Sequence, residues 1–353
     1  MSIKSRAVVM VEPRKIEIRE VEIPEPKTGE VLVRQRACSL CTMEQRMYAG
    51  ITDWGYGGVW GHEVAGVVEA IGPGTKTELK VGDHVARAGT GSCGACHYCS
   101  VGLTRLCVVA GGGRSKAIDP ETGKEIIGSF GLSEYAVSDV ESLVKMSPDL
   151  AFEEASFVEP VACVVQSTNK LDIKLGQTVV VIGAGTMGLL NMMLARLRGA
   201  FVVVSDLDPA RRKKALELAA HAELDPEKGD IVEQLKALND GRGADAVITA
   251  VGNKAVNDDA LRLVGPEGTI MLFASAHPAA PLELDPNMVH RTGINVTGVV
   301  SKNRLDMYQA GVLLSKRLID VKPLIETTFP LEKVEDALAL ASFNNTYRVV
   351  VTM

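Results

Sequence analysis

The chain has no surplus of positive charge and no long apolar run. Its 353 residues carry 38 Lys and Arg against 44 Asp and Glu, a formal net charge of -6. This balance disfavours binding to nucleic acid or to an anionic membrane, because both attract positive charge. No apolar run approaches the roughly 18 residues of a membrane span, and the first residues lack an apolar core of signal-peptide length. We therefore expect a cytoplasmic protein that binds neither nucleic acid nor membrane.

Cysteine is also scarce, with seven residues in the chain, but four of them lie close together. Cys93, Cys96, Cys99 and Cys107 follow the spacing C-x2-C-x2-C-x7-C. In reducing cytoplasm, clustered cysteines are more often metal ligands than disulfides. Four thiolates complete the tetrahedral shell of Zn²⁺ and leave no position for a substrate, so the spacing predicts a structural zinc. A disulfide pair is one alternative. An iron–sulfur cluster is another, although the bacterial ferredoxin run has a shorter last gap and a following proline.

Two patterns of secondary structure divide the chain. As far as about residue 148, alternating strands punctuated by glycine and proline are typical of a twisted β-rich domain. From about residue 155, apolar strands such as 178–183 and 201–206 alternate with amphipathic helices. This alternation predicts an α/β fold with a doubly wound parallel sheet. The tail after residue 304 is expected to pack back onto the first domain.

A glycine-rich turn ends the first of these apolar strands. Residues 183–188 read G-A-G-T-M-G, the pattern G-x-G-x-x-G, and a helix follows. Such glycines allow a pyrophosphate to approach the helix N-terminus. Asp206 ends the next strand, where a carboxylate binds a ribose 2′-hydroxyl and repels a 2′-phosphate, so NAD is favoured over NADP. Arg211 and Arg212 could weaken that preference, and a simple turn with a capping aspartate is the alternative. The residues predicted to contact the cofactor are Gly183, Gly185, Met187, Gly188, Asp206 and Arg211.

Three cysteines remain, Cys38, Cys41 and Cys163, and two of them could belong to a second metal site. A catalytic zinc takes about three protein ligands and keeps one position open. Cys41 and His62 could supply two ligands, and Glu159 or Cys163 the third. Residue types alone leave this site open, because a free cysteine is more often a small core residue.

Taken in order, these motifs resemble those of the zinc-dependent medium-chain dehydrogenase/reductase family over essentially the whole chain. The markers are Cys41 after a strand, G-H-E at 61–63, V-G-D-H-V at 81–85, the four-cysteine loop, E-P-V-A-C at 159–163 and the turn at 183–188. The resemblance implies a GroES-like catalytic domain at 1–155 and 300–353, with a structural zinc lobe at 90–110. It also implies a Rossmann NAD-binding domain at 156–299 and assembly as a homodimer or homotetramer.

The resemblance also assigns the residues of the catalytic metal. The family's cysteine and histidine ligands match Cys41 and His62, and Glu63 matches a carboxylate beside the metal that can ligate it. The third ligand divides the family. Alcohol-dehydrogenase-like members use a cysteine that matches Cys163, and polyol and threonine dehydrogenase-like members use a glutamate that matches Glu159. We favour Glu159, because the E-P pair resembles the polyol group, and we expect two zinc ions per chain.

The chain differs from the family at the residue that passes the proton of the substrate to solvent. Members commonly have a hydroxyl two residues after the first ligand, where this chain has Met43. A thioether cannot carry a proton, so Thr42, Glu63 or a water would take its place. Sorbitol itself is disfavoured, because three positions lack the aromatic and arginine residues that contact the polyol in sorbitol-dehydrogenase-like members. These positions are Met47, Ser301 and Lys302.

The resemblance implies reversible hydride transfer between a secondary alcohol and NAD, with a polyol, sugar or hydroxy amino acid as the small-molecule substrate. L-Threonine 3-dehydrogenase is one alternative. A quinone-reductase-like enzyme without catalytic zinc is a second. A non-enzymatic dinucleotide-binding protein is the third, and it is disfavoured because it has no need of Cys41, His62 and Glu159 together.

Overall fold

The chain forms two compact units in a computed structural model. One unit runs from the N-terminus to Ala162 and includes Lys302–Met353, and the other is Cys163–Ser301. The structure describes residues 2–88, 91–109, 115–342 and 346–353. Residues 90 and 110, the ends of the predicted zinc lobe, lie outside the described residues. Within the described ranges, no helix has the length and apolarity needed to cross a membrane.

The first unit contains a small closed barrel of five strands. In barrel order the strands are Ile3–Glu12, Lys15–Ile23, Ser115–Ile118, Glu125–Gly128 and Gly58–Val59. Ala7 and Val9 point to the same side of the first strand and are fully buried against Phe130, as the period of two predicts. Val8 and Met10, on the opposite face, are also buried in other clusters, so this part of the strand is covered on both faces.

A seven-stranded sheet completes the β-structure of this unit and carries several candidate site residues. Six of its strands lie in the order Leu143–Lys145, His84–Ala88, Glu63–Ile71, Glu30–Ser39, Arg348–Thr352 and Ile325–Pro330, and Tyr135–Asp139 also pairs with Glu30–Ser39. In the register, Ser39 lies opposite both Glu63 and Val350. The end of the chain thus lies beside the strands that lead to Cys41 and His62.

The first unit also contains several short helices. Their bounds are Thr42–Tyr48, His97–Ser100, Phe152–Ala155, Arg304–Ser315 and Val334–Ala341, with 3-10 turns at Thr104–Leu106, Val140–Ser142, Lys322–Leu324 and Leu331–Lys333. The helix Val334–Ala341 buries residues 334, 337, 338 and 341, the spacing of one helical face, in a cluster with Cys38 and Val351. Cys38 is therefore a core residue, as a cysteine outside a metal site or disulfide most often is.

The second unit is a six-stranded parallel sheet with helices between its strands. The strand order is Ala222–Leu224, Phe201–Ser205, Thr178–Ile182, Ala244–Thr249, Val264–Leu272 and Asn295–Gly298, and every pairing is parallel. The helices are Thr186–Leu197, Pro209–Leu218, Ile231–Leu238, Lys254–Leu263 and Pro286–Thr292, with a 3-10 turn at Pro226–Lys228. A further helix, Val158–Leu171, begins in the first unit and continues into the second. The predicted doubly wound parallel sheet is confirmed.

Candidate active site

The four clustered cysteines converge on one point. One sulfur atom from each of Cys93, Cys96, Cys99 and Cys107 lies within 4.8 Å of the others. The backbone N–H of Cys96 donates to Cys93 Sγ at 3.3 Å, and that of Cys93 donates to Cys107 Sγ at 3.4 Å. None of the four forms a disulfide bond with another described cysteine. Four convergent sulfur atoms fit the tetrahedral preference of zinc.

A second group combines sulfur, nitrogen and oxygen. One ligand atom each from Cys41, His62 and Glu63 lies within 4.8 Å of the other two. Cys41 is the N-cap of the helix Thr42–Tyr48, and Glu63 begins the strand that pairs with Glu30–Ser39. The antiparallel register therefore brings together residues that are distant in sequence.

Gly61 allows the chain to present His62 and Glu63 in this position. Its φ of +93° lies in the left-handed region that favours glycine. A Cβ at this position would lie 2.9 Å from Cys38 Sγ and 2.9 Å from the backbone nitrogen of Leu132. No larger residue fits, so the glycine of the G-H-E motif has a steric role.

Glu44 holds both Cys41 and His62, a role that the sequence analysis missed. This fully buried carboxylate accepts the backbone N–H of Cys41 at 3.0 Å and lies 2.8 Å from His62 Nδ1. Burial alone would lower the pKa of His62, but the charge of Glu44 and hydrogen bonds with Cys41 and Glu44 raise it well above its ordinary value. A carboxylate on Nδ1 fixes the tautomer and leaves Nε2 for a metal. The signal in the sequence was a glutamate three residues after an N-cap position.

Glu63 is a fully buried carboxylate with one ion-pair partner. Its Oε1 lies 3.1 Å from a guanidinium nitrogen of Arg348, yet among the described residues neither carboxylate oxygen accepts a hydrogen bond. Burial raises the pKa of Glu63 well above its ordinary value, the charge of Arg348 opposes that rise, and the charges of Cys41 and Glu159 add to it. A buried carboxylate whose oxygens accept no hydrogen bond is suited to bind a cation, because buried polar atoms without hydrogen bonds are costly.

Glu159 and Cys163 both lie on the helix Val158–Leu171. Glu159 forms a buried ion pair with Lys302. Burial alone would raise the pKa of Glu159, but the charges of Lys302 and His62 and the hydrogen bond from Lys302 lower it to about 2. Cys163 is half-buried and is the first residue of the second unit. In the part of the chain described, the converging ligand group contains Glu63 and not Glu159.

Thr42 and Met43 lie beside the first ligand in different surroundings. The hydroxyl of Thr42 is exposed and lies 3.8 Å from Cys41 Sγ. Met43 is half-buried against a cluster that contains Met47 and Trp60. The only hydroxyl adjacent to Cys41 in sequence therefore faces solvent, and the thioether packs against an apolar wall.

The glycine turn at 183–188 joins the strand Thr178–Ile182 to the helix Thr186–Leu197. A Cβ at Gly188 would lie 1.9 Å from the carbonyl oxygen of Gly183, so Gly188 is required for helix and strand to approach. A Cβ at Gly185 would meet nothing closer than Arg211 Nη1 at 4.0 Å. Gly185 therefore leaves space beside the helix N-terminus, where dinucleotide-binding folds accept a pyrophosphate.

Asp206 lies directly after the strand Phe201–Ser205 and is tied to the glycine turn. Its carboxylate accepts the backbone N–H of Ala184 at 2.7 Å and that of Asp208 at 2.9 Å. Arg212 is buried and pairs with Asp225 at 2.6 Å, so its guanidinium has a structural partner. Arg212 also donates to the carbonyl oxygen of Asp206 at 2.7 Å, whereas Arg211 is the arginine beside Gly185 of the turn.

Comparison with known proteins identifies the family. Residues 27–148 match the model of the alcohol dehydrogenase GroES-like domain, and residues 186–316 match that of the zinc-binding dehydrogenases. An alcohol dehydrogenase of Geobacillus stearothermophilus is 30% identical, with 94% of each chain covered. The chain belongs to the zinc-dependent medium-chain dehydrogenase family. The predicted pairing of a GroES-like domain with a Rossmann domain is confirmed.

Two further similarities extend over nearly the whole chain. An L-threonine 3-dehydrogenase of Pyrococcus horikoshii is 28% identical, with 99% of each chain covered. A protein of Sinorhizobium meliloti 1021 solved with bound NADP superimposes with a TM-score of 0.86 and 26% identity, covering 99% of this chain and 100% of that one. The family member described here is a zinc-dependent oxidoreductase that acts on CH–OH donors, and the non-enzymatic alternative falls away.

Proposed function

We propose that the enzyme oxidises a secondary alcohol reversibly, with zinc held by Cys41, His62 and Glu63 and with NAD bound at the glycine turn. The observation that carries this proposal is the convergence of a thiol, an imidazole and a buried carboxylate within 4.8 Å. Three ligands of this kind are typical of catalytic zinc, which keeps one position open. The substrate is a polyol, sugar or hydroxy amino acid.

The charges around this group fit a divalent cation. Burial alone would raise the pKa of the Cys41 thiol, but the hydrogen bond and charge of His62 lower it, which favours the thiolate. Four acidic groups, Cys41, Glu44, Glu63 and Glu159, therefore face three basic groups, His62, Lys302 and Arg348. This excess of acidic groups fits a dication, which His62 would bind as a neutral imidazole.

The residues of the chain have separate roles in the proposed reaction. Zinc, when bound, supplies a Lewis acid that favours loss of the alcohol proton. Glu44 keeps His62 in one tautomer, and the apolar wall behind Met43 limits the access of water. Thr42 places an exposed hydroxyl next to Cys41, so it is our candidate for carrying the substrate proton to solvent.

We propose NAD as the cofactor because Asp206 places a carboxylate beside the glycine turn. The residues assigned to it are Gly183, Gly185, Met187, Gly188, Asp206 and Arg211. The test compares kcat/KM for NAD and NADP in the wild type, Asp206→Ala and the control Asp208→Ala. Asp208 caps the helix Pro209–Leu218 and is not assigned to the cofactor. Only Asp206→Ala should shift preference toward NADP, and a wild type that prefers NADP would overturn the assignment.

We further propose a structural zinc at the four cysteines, hence two zinc ions per chain. The unit that holds both metal groups would be the predicted catalytic domain, and the unit of Cys163–Ser301 the NAD domain. Assembly as a homodimer or homotetramer in the cytoplasm follows only from the family resemblance. Metal analysis separates this proposal from a quinone-reductase-like enzyme, for which one zinc per chain is expected.

The substrate is tested with a panel of polyols, sugars and hydroxy amino acids, followed by NADH absorbance. Selective oxidation of threonine would establish L-threonine 3-dehydrogenase, the second candidate, which the similarity to the Pyrococcus horikoshii enzyme favours. Cys41→Ser should abolish activity and leave the enzyme folded by circular dichroism. A Cys41→Ser enzyme with the kcat of the wild type would refute the proposed zinc site.

A further inference from the structure

A buried ion pair lies next to the proposed zinc ligands. Lys302 Nζ contacts Glu159 Oε1, and the two side chains are only 3% and 8% exposed. Glu159 is the second residue of the helix Val158–Leu171. Lys302 directly precedes Asn303, the N-cap of the helix Arg304–Ser315. The pair therefore links the starts of two helices, and each partner is held by ordered backbone.

We propose that Lys302 is a positioning residue that holds Glu159 out of the coordination shell of the zinc. Cys41, His62 and Glu63 are then the protein ligands, and one coordination position stays open for the alcohol. This inference rests on the proposed zinc site, and it concerns which of two nearby carboxylates completes that site.

The two carboxylates differ in what they would lose by turning toward a metal. If Glu159 turned to the metal, the buried ammonium of Lys302 would lose this carboxylate, and breaking a buried ion pair is strongly unfavourable. Among the described residues Glu63 accepts no hydrogen bond, and its ion-pair partner Arg348 also donates to the carbonyl oxygen of Leu40 at 3.0 Å. A guanidinium has five N–H donors and can keep such contacts when one acceptor moves. Glu63 is therefore the carboxylate that is available to the metal.

The number of ligands decides whether the site can accept a substrate. A zinc with Cys41, His62 and Glu63 has three protein ligands and an open position, as in catalytic sites. Addition of Glu159 would complete a tetrahedral shell, as in structural sites. By retaining Glu159, Lys302 keeps the site catalytic. Its positive charge also opposes the dication, so its removal should tighten metal binding.

The test uses the full-length enzyme, with zinc affinity from chelator competition and the visible spectrum of the cobalt-substituted form. Lys302→Met should bind zinc at least about tenfold tighter, equivalent to 1.4 kcal/mol. It should also change the cobalt spectrum and lower kcat more than it changes KM. Lys302→Arg retains the charge and should keep the spectrum of the wild type. Glu159→Gln should also keep that spectrum, because Glu159 is not a ligand.

Two results would overturn the inference. One is a changed cobalt spectrum with loss of zinc in Glu159→Gln, and the other is an unchanged spectrum and affinity in Lys302→Met. If Lys302→Met does not fold, the double variant Lys302→Met/Glu159→Gln removes both charges and should show the spectrum of the wild type. Cys41→Ser separates the two proposals. If Cys41→Ser keeps both zinc ions, the proposed zinc site is wrong. If Cys41→Ser loses one zinc ion, the zinc site stands, and a changed cobalt spectrum in Glu159→Gln then refutes only the proposed role of Lys302.

Discussion

The buried carboxylate of Glu44 offers a sharp test of how the proposed metal site is held. Its oxygens meet two donors, the Cys41 N–H at 3.0 Å and His62 Nδ1 at 2.8 Å. Glutamine keeps one acceptor but turns an amide N–H toward one of these donors. A hydrogen bond to a charged group contributes about 1.5–3 kcal/mol, so we expect Glu44→Gln to cost about 2 kcal/mol. That energy is roughly a 30-fold loss, within the range of about 10–100-fold for groups that support metal ligands.

The loss is measured as zinc affinity in chelator competition and as kcat/KM with the best alcohol of the substrate panel. Glu20→Gln is the matched control, because that carboxylate is 53% exposed and pairs with Lys4 on the surface. Such exposed pairs contribute about 0–1 kcal/mol. Unfolding in denaturant shows whether either variant loses its fold. A Glu44→Gln enzyme that binds zinc as tightly as the wild type would refute the reasoning.

Three further predictions concern stability and binding. Arg348→Met leaves Glu63 without its cation and should lower the free energy of unfolding by about 3–5 kcal/mol. Addition of Glu63→Gln should recover part of that loss in chemical denaturation, and no recovery would contradict the ion-pair account. Gly188→Ala should destabilise the second unit, because the new Cβ would lie 1.9 Å from the carbonyl oxygen of Gly183. In Gly185→Ala the nearest atom to the new Cβ is 4.0 Å away, so this variant should keep the stability of the wild type but bind NAD more weakly in fluorescence titration. Equal stability losses would argue against these separate roles. Cys99→Ser should remove one zinc per chain and speed proteolysis of its loop, so an unchanged metal content would count against the structural site.

Features contained within a short segment were predictable from the sequence. The strand, turn and helix of 178–197 follow directly from an apolar run, three glycines and a helical repeat. Element boundaries are less evident from the sequence. The segment 209–222 has a composition that favours a helix, but the helix ends at Leu218, and Ala222 pairs with Val203 and begins the next strand. A tertiary pairing thus overrides a residue that is otherwise favourable in a helix.

The arrangement around Cys41 required the tertiary structure. Glu44 is near in sequence, yet its contact with His62 depends on the pairing of two strands. Arg348 reaches Glu63 only because the C-terminal strand joins the same sheet. No local pattern in the sequence indicates either contact.

The linear order of residues was enough to indicate the family, the four-cysteine cluster and the dinucleotide turn, because each of these depends on neighbours within a few positions. The convergence of Cys41, His62 and Glu63 depended on the folded chain. Strand register and the burial of Lys302 and Arg348 bring together charges from distant segments. Those charges interact strongly only after folding has removed them from water.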